Sequence, residues 1–229
     1  MALDHDGVDD FVSHGDITGI SGATVLTVML WLFYDVAAAS DGFSIKDSGA
    51  GQVPYYIATR ASDNSAMVFL TGDPGITERS YTATGQVATG VWAHWALVVN
   101  TAGAAGNDRV KIYKDGTNLT LTHASASPNP LPSGAAANVV TMRHVNTGSY
   151  SDGRLAYHKI WLAELSAAEV YQEMNSHRPV RTANLVLCSP YDDDTNARDY
   201  SGNGNHGTVT GTLQAAGPPV GYGASVLGG

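Results

Sequence analysis

The 229 residues are 43% apolar and only 14% charged, which excludes an intrinsically disordered chain and supplies enough apolar material for a buried core. The formal charge of −9, from 12 basic and 21 acidic residues with no clustered Lys or Arg, excludes nucleic acid as the main partner. Seventeen of the acids are Asp and only four are Glu, the bias of a chain rich in turns.

No membrane insertion is expected, because the longest apolar stretch, VLTVMLWLFYDVAAA, is interrupted by Asp35 and is too short to span a bilayer. The acidic start MALDHDGVDD lacks the basic segment of a secretory leader. Cys188, the single cysteine, lies in the apolar run NLVLCSP and reads as a buried small hydrophobe without a disulfide partner.

Strand-like runs closed by Gly, Asp or Asn then follow one another. ATVLTVMLWLFYD (23–35) is long and rich in β-branched and aromatic residues, and PYYIATRA, SAMVFLTGD, RSYTATG and HWALVVNTA continue the pattern. In DRVKIYKDGTNLTLTHA (108–124), Val110 and Ile112 alternate with polar neighbours. Asp115-Gly116 supplies a tight turn there, and Leu119 and Leu121 return, which predicts a hairpin. NVVTMRHV, GRLAYHKIWLA and NLVLCSP are further strands. One helix is predicted at about 166–176. Ser166 and Glu169 fit a capping box, Leu165 and Val170 a hydrophobic staple, and Val170 and Met174 one apolar stripe. The pattern predicts an all-β protein, a two-sheet antiparallel β-sandwich of the jelly-roll kind. Residues 1–216 read as one domain, and 217–229 as a Gly-rich tail.

The residues offer no complete catalytic constellation. Glu164, Glu169 and Glu173 belong to the capped helix and its approach, and Glu78 stands alone. The eight His follow no metal-ligand spacing, and no Gly-x-Ser-x-Gly elbow occurs. Binding is the better-supported expectation. Sugars are held by aromatic faces beside hydrogen-bonding side chains. The candidates outside the apolar strands are Tyr55, Tyr56, Tyr81 and Tyr150, with Arg143 and Asn146. Trp31, Trp92, Trp95 and Trp161 read as core.

Several segments together resemble the laminin-G-like branch of the concanavalin A-like lectin/glucanase superfamily. VWAHWALVVN is similar to that family's Trp-x-His-hydrophobic strand, RVKIYKDGTNL to its next hairpin, and GRLAYHKIWLAELSAAEV to its late strand and capped helix. DGVDDFV (6–12) and RDYSGNGNHGTVTG (198–211) complete the set. In the family the Gly-rich turn usually precedes DGVDD, and here it follows near the other end, so the chain resembles a circular permutant. The late strand of the family often carries a carboxylate where Ala156 and Tyr157 stand here. The glucanase branch's Glu-x-Asp-x-x-Glu pattern is missing.

The resemblance implies a non-catalytic module that recognises a glycan or a protein surface in an extracellular or virion-surface setting. The alternatives are a structural component of a virion or cell-surface assembly and, third, a glycan-cleaving enzyme. It also implies a structural calcium ion, with Asp199, Asn203 and Asn205 as oxygen donors and Asp6 or Asp9 reaching in across the permuted seam.

Overall fold

The computed structural model describes residues 1–36, 41–47, 55–59, 63, 67–73, 76–103, 108–123, 137–143 and 150–220. The first strands are β1 (Ala2–Asp6), β2 (Phe11–Asp16), β3 (Val25–Tyr34), β4 (Asp41–Asp47), β5 (Tyr55–Thr59), β6 (Met67–Asp73) and β7 (Ile76–Tyr81). They are followed by β8 (Trp92–Asn100), β9 (Val110–Lys114), β10 (Thr117–Asn118), β11 (Thr122–His123), β12 (Ala137–Thr141) and β13 (Asp152–Trp161). Helix α1 (Ala167–Met174) leads to β14 (Leu185–Ser189), β15 (Asn196–Ala197), β16 (Gly207–Thr210) and β17 (Leu213–Ala215).

These strands form two sheets, the antiparallel sandwich that the sequence pattern predicts. An eight-stranded sheet runs β10-β9-β8-β3-β13-β1-β17, with β14 also paired to β13. A nine-stranded sheet runs β11-β7-β6-β5-β4-β12-β2-β16-β15. The expected hairpin is β9–β10. Asp115 (φ 49°) and Gly116 (φ 77°) are both left-handed, as the two-residue turn that matches strand twist requires. The Asp115 carboxylate also accepts from the His94 N–H at 2.8 Å and ties the turn to β8. Strands β4, β16 and β17 were not separately legible in the sequence.

The main core lies between the sheets, where Leu26, Val28, Leu30 and Leu32 of β3 meet Val12, Phe43, Ile57 and Val139. A second apolar cluster sits on the outer face of the eight-stranded sheet. There Met29, Val98, Trp161 and Cys188 are covered by Leu165 and Val170, the staple residues of α1. Both halves of the capping box form: Glu169 N–H donates to the Ser166 hydroxyl, and Ser166 N–H donates to the Glu169 carboxylate. Beneath the helix Lys159 and Glu173 make a buried ion pair at 2.8 Å. The Lys159 ammonium also donates to the Glu173 and Ser176 carbonyls, and Glu173 accepts from the Val180 and Arg181 N–H groups, so neither charge is stranded. The helix covers only part of the outer face. Trp95 and Trp161 are core as expected, whereas Trp31 and Trp92 are half-buried on that face against His94 and Phe33, because α1 stops short of them. No helix among the described residues is long and apolar enough to cross a membrane.

The first and last strands are neighbours: β1 pairs with β17, Ala2 opposite Ala215, and β16 pairs with β2, Thr210 opposite Phe11. Residues 217–220 continue against the start of the chain, with a Cβ on Gly217 placed 2.6 Å from the Met1 carbonyl oxygen. The rest of the sequence's Gly-rich tail, 221–229, lies outside the described residues.

Among the described residues four imidazoles are buried. Burial lowers His5 and His14 to about 4 and His94 to about 3, and holds His158 well below its ordinary value. The Asn205 carbonyl can only accept, so His14 Nδ1 donates to it and Nε2 accepts from the Tyr191 hydroxyl. That hydroxyl in turn accepts from His158 Nδ1. Unfolding exposes these rings at a pKa near 6.5, so the unfolded chain binds more protons below that value. The stability they hold is therefore complete above pH 6.5 and is lost progressively as the pH falls toward about 4. Melting temperature followed across this range should fall steeply, and replacing His14 by Gln should flatten the profile.

Candidate functional site

The Gly-rich turn at 198–208, where an ion was expected, is organised around Asp199. Asp199 is 7% exposed, and both of its oxygens are occupied by the protein's own donors. Oδ1 accepts from the Cys188 N–H at 2.9 Å and the Ser201 N–H at 2.8 Å. Oδ2 accepts from the Ser201 hydroxyl at 2.7 Å and the Asn205 N–H at 2.9 Å. The two amides also face inward. Asn203 donates to the Leu185 carbonyl at 2.8 Å, and Asn205 donates to the Val186 carbonyl at 2.7 Å. Tyr200 N–H donates to the Cys188 carbonyl at 2.7 Å. The turn thus caps the outer edge of β14 with side chains and backbone, a job otherwise done by another strand.

Asp6 and Asp9 do not reach this turn. Asp6 pairs with Asp152 at one end of β13, while Cys188, bonded to Asp199, pairs with Lys159 seven residues further along. At about 3.3 Å per residue the two acidic groups are about 20 Å apart. Asp6 and Asp9 instead join Asp10 in the β1–β2 turn, with ligand oxygens within 4.8 Å of one another. Asp6 and Asp9 are exposed, and Asp10 is buried. Asp10 accepts from the Asp6 N–H at 2.9 Å, and a Cβ on Gly211 (φ 79°) would overlap its Oδ1, so glycine is needed for this close approach. Burial, then the charges of Asp6, Asp9 and Asp4, raise the Asp10 carboxyl; burial, then Asp35, Asp4 and Asp6, raise Asp152. These carboxylates repel one another at neutral pH. Oxygen donors of this kind, crowded on one turn, suit a hard divalent cation.

Beside this acidic turn lies an aromatic and cationic cluster. In β2 Val12 and His14 are buried while Phe11 and Ser13 are half-buried, so Phe11 stands on the outward face of the nine-stranded sheet. The Arg143 guanidinium lies 4.7 Å from the Phe11 ring centroid and 5.4 Å from that of Tyr150. The two rings are 6.3 Å apart, and Arg143 and Tyr150 form an isolated antiparallel bridge. Asp10 precedes Phe11 and Asp152 follows Tyr150 by two residues, so the chain carries the carboxylates and the aromatic cluster to the same end of the sandwich.

The other predicted binding residues do not converge here. Tyr81 lies on β7, half-buried, four strand positions from β12, or about 19 Å across the sheet. Tyr55 and Tyr56 lie on β5 opposite Ile45 and Ser44, and their side chains lie outside the described residues. Asn146 lies outside them too. Phe11, Asp10 and Asp152 were missed as site residues. Only the register of β1 and β2 against β13 and β12 brings them together, although DGVDDFV already joins the acidic run to an aromatic. The three described Glu side chains serve packing: Glu164 holds Lys111 at 2.7 Å and Asn100 at 2.6 Å, Glu169 caps α1, and Glu173 holds Lys159. Burial pushes the Cys188 thiol up to about 11.

An antiparallel sandwich with a capped helix on one sheet and an acidic turn at its rim defines a lectin-like jelly roll. The chain belongs to the laminin-G-like family of the concanavalin A-like lectin/glucanases superfamily, which matches residues 6–171. No curated protein matches by sequence. Among solved structures, the chain is similar to a candidate carbohydrate-binding protein from Bacteroides ovatus, with a TM-score of 0.67 and 13% identity over 93% of this chain. It spans 58% of that protein's length. It is also similar to a heptameric SAP-like pentraxin from Limulus polyphemus, with a TM-score of 0.54, 13% identity and coverage of 82% of this chain and 87% of that one. The CBM40 of a Ruminococcus gnavus IT-sialidase, bound to α2,3-sialyllactose, gives a TM-score of 0.54, 12% identity and coverage of 74% and 97%. At these identities the likeness is one of fold.

Asp199→Ala should cost about 3 kcal/mol, because it strands several buried donors at once. Urea unfolding should give the same loss with calcium and with EGTA.

Proposed function

We propose that this chain is a glycan-recognition module whose ligand lies at the rim of the nine-stranded sheet, across Phe11, Arg143 and Tyr150. The observation that carries the reading is the Arg143 guanidinium standing against two aromatic rings on an outward face, beside a turn of three carboxylates. Aromatic faces accept the C–H surfaces of a pyranose, and a guanidinium offers a planar fork of donors to neighbouring hydroxyls. The CBM40 neighbour bound to α2,3-sialyllactose supports the same class of ligand.

Calcium is part of the proposal, moved from Asp199 to the Asp6, Asp9 and Asp10 turn. Bound there, it would offset the burial and the repulsion that together raise Asp10 and Asp152, and would supply a Lewis-acidic centre for sugar hydroxyls. The protein's part is to hold the three carboxylates together, with Gly211 leaving room for Asp10.

A glycan array read with calcium and with EGTA, on the native chain and on Arg143→Ala, tests the reading. Binding that weakens about tenfold in Arg143→Ala, the worth of one well-placed contact, is the expected result. Thermal melting should show a rise with calcium that Asp10→Asn abolishes, because only a ligand that prefers the folded state stabilises it. In EGTA the same substitution should raise the melting temperature, since it removes one of the repelling charges. An array without any hit contradicts the glycan reading, and an unshifted melting temperature contradicts the ion.

A further inference from the structure

On the opposite sheet, between the end of α1, β14 and the 198–208 turn, lies a groove of about 690 Å³. We propose that this groove is a second saccharide site, selective for a neutral ring of one or two sugar units. It extends the glycan reading to the other face, and none of its residues belongs to the rim.

The groove is built around a backbone irregularity. β13 pairs with β3 through Ala156 opposite Trp31 and Lys159 opposite Met29, so two residues of β13 stand against one of β3. The extra residue is Tyr157, at φ 51°, a left-handed conformation that a non-glycine residue rarely adopts. Its N–H donates to the Pro190 carbonyl at 3.4 Å. The bulge leaves His158 pointing to the core, hydrogen-bonded to Tyr191, and puts the Tyr157 ring into the groove. His177, just beyond the helix, meets that ring edge-on with centroids 4.7 Å apart. On the facing wall is Tyr200, 56% exposed, fixed by its N–H bond to Cys188 and by the saturated Asp199 beside it. Two phenol rings on rigid supports thus flank a cavity of ligand size.

The His177 ring shares a hydrogen bond with the Val220 carbonyl at 3.3 Å, but three other polar groups of the groove are unspent. Neither the Arg178 guanidinium nor the Asp192 carboxylate has an ion-pair partner among the described residues, and both line the groove. The Tyr200 hydroxyl has no hydrogen-bond partner among them either. A donor fork and a carboxylate acceptor suit adjacent hydroxyls, each of which both donates and accepts. Their charges cancel, and the chain as a whole carries −9, so an anionic sugar would gain Arg178 only by facing Asp192.

The test is amide-resolved NMR titration of the full chain with lactose, maltose and cellobiose as neutral probes and α2,3-sialyllactose as the acidic one. Saturable shifts at Tyr157, His177 and Tyr200 are expected with at least one neutral probe. Tyr200→Ala should weaken that binding about tenfold, Asp192→Asn should weaken it with the fold intact, and Arg143→Ala should leave it unchanged. Tighter binding of sialyllactose than of lactose at these amides would overturn the neutral class. Shifts confined to Phe11, Arg143 and Tyr150 would overturn the groove while sustaining the rim. No saturable shift at the groove, or none lost in Tyr200→Ala, also overturns it.

Discussion

One edge of β13 has to serve two partners, and the rest of the molecule is arranged around that constraint. Along its other edge β13 pairs with β3 for its whole length, from Gly153 to Trp161. On the shared edge β1 takes residues 152–155 and β14 takes 158–161. At the handover between β1 and β14 the left-handed Tyr157 breaks the pleat of β13. The handover fixes what lies at each end. The β1 end brings the DGVDDFV turn beside Asp152 and Tyr150, and the β14 end brings the Gly-rich turn beside Tyr157.

Two groups of Asp residues with similar neighbours in sequence therefore acquire opposite characters. Asp199 is surrounded by four donors on its own chain, so an ion there would have to displace hydrogen bonds that hold the edge of β14. Asp6, Asp9 and Asp10 have one another as neighbours, with few donors among them, so their charge is uncompensated. Carboxylate chemistry is the same in both places. What differs is the number of N–H and O–H groups that the backbone aims at each oxygen.

Local chemistry was legible in the sequence wherever partners lie within a few residues. The Asp115-Gly116 turn, the Ser166–Glu169 box and the Leu165–Val170 staple form as their spacing predicts, because each interaction closes within one turn of chain. The binding residues were not legible in the same way. Arg143 and Tyr150 meet across a bridge, but Phe11 reaches them from the far end of the sequence, and Tyr81 sits strands away. Sheet order, which no short window encodes, decides these distances. Asp199 was expected as a metal ligand from the family resemblance, and Asp, Asn and Gly compose both ion sites and self-capping turns. The composition shows the acceptors without showing where the donors point. Trp31 and Trp92 read as core from their apolar strands, and the finite length of α1 leaves them at the surface.

We propose that the cation and the glycan meet at the rim beside β2 rather than at the Gly-rich turn. Anomalous diffraction from crystals grown with calcium and soaked with the strongest glycan of an array tests this most directly. The expected result is a calcium peak among the Asp6, Asp9 and Asp10 carboxylates, none at Asp199, and sugar density against Tyr150 and Phe11. A calcium peak at Asp199 with none among Asp6, Asp9 and Asp10, or the absence of sugar density at the rim, would overturn the proposal.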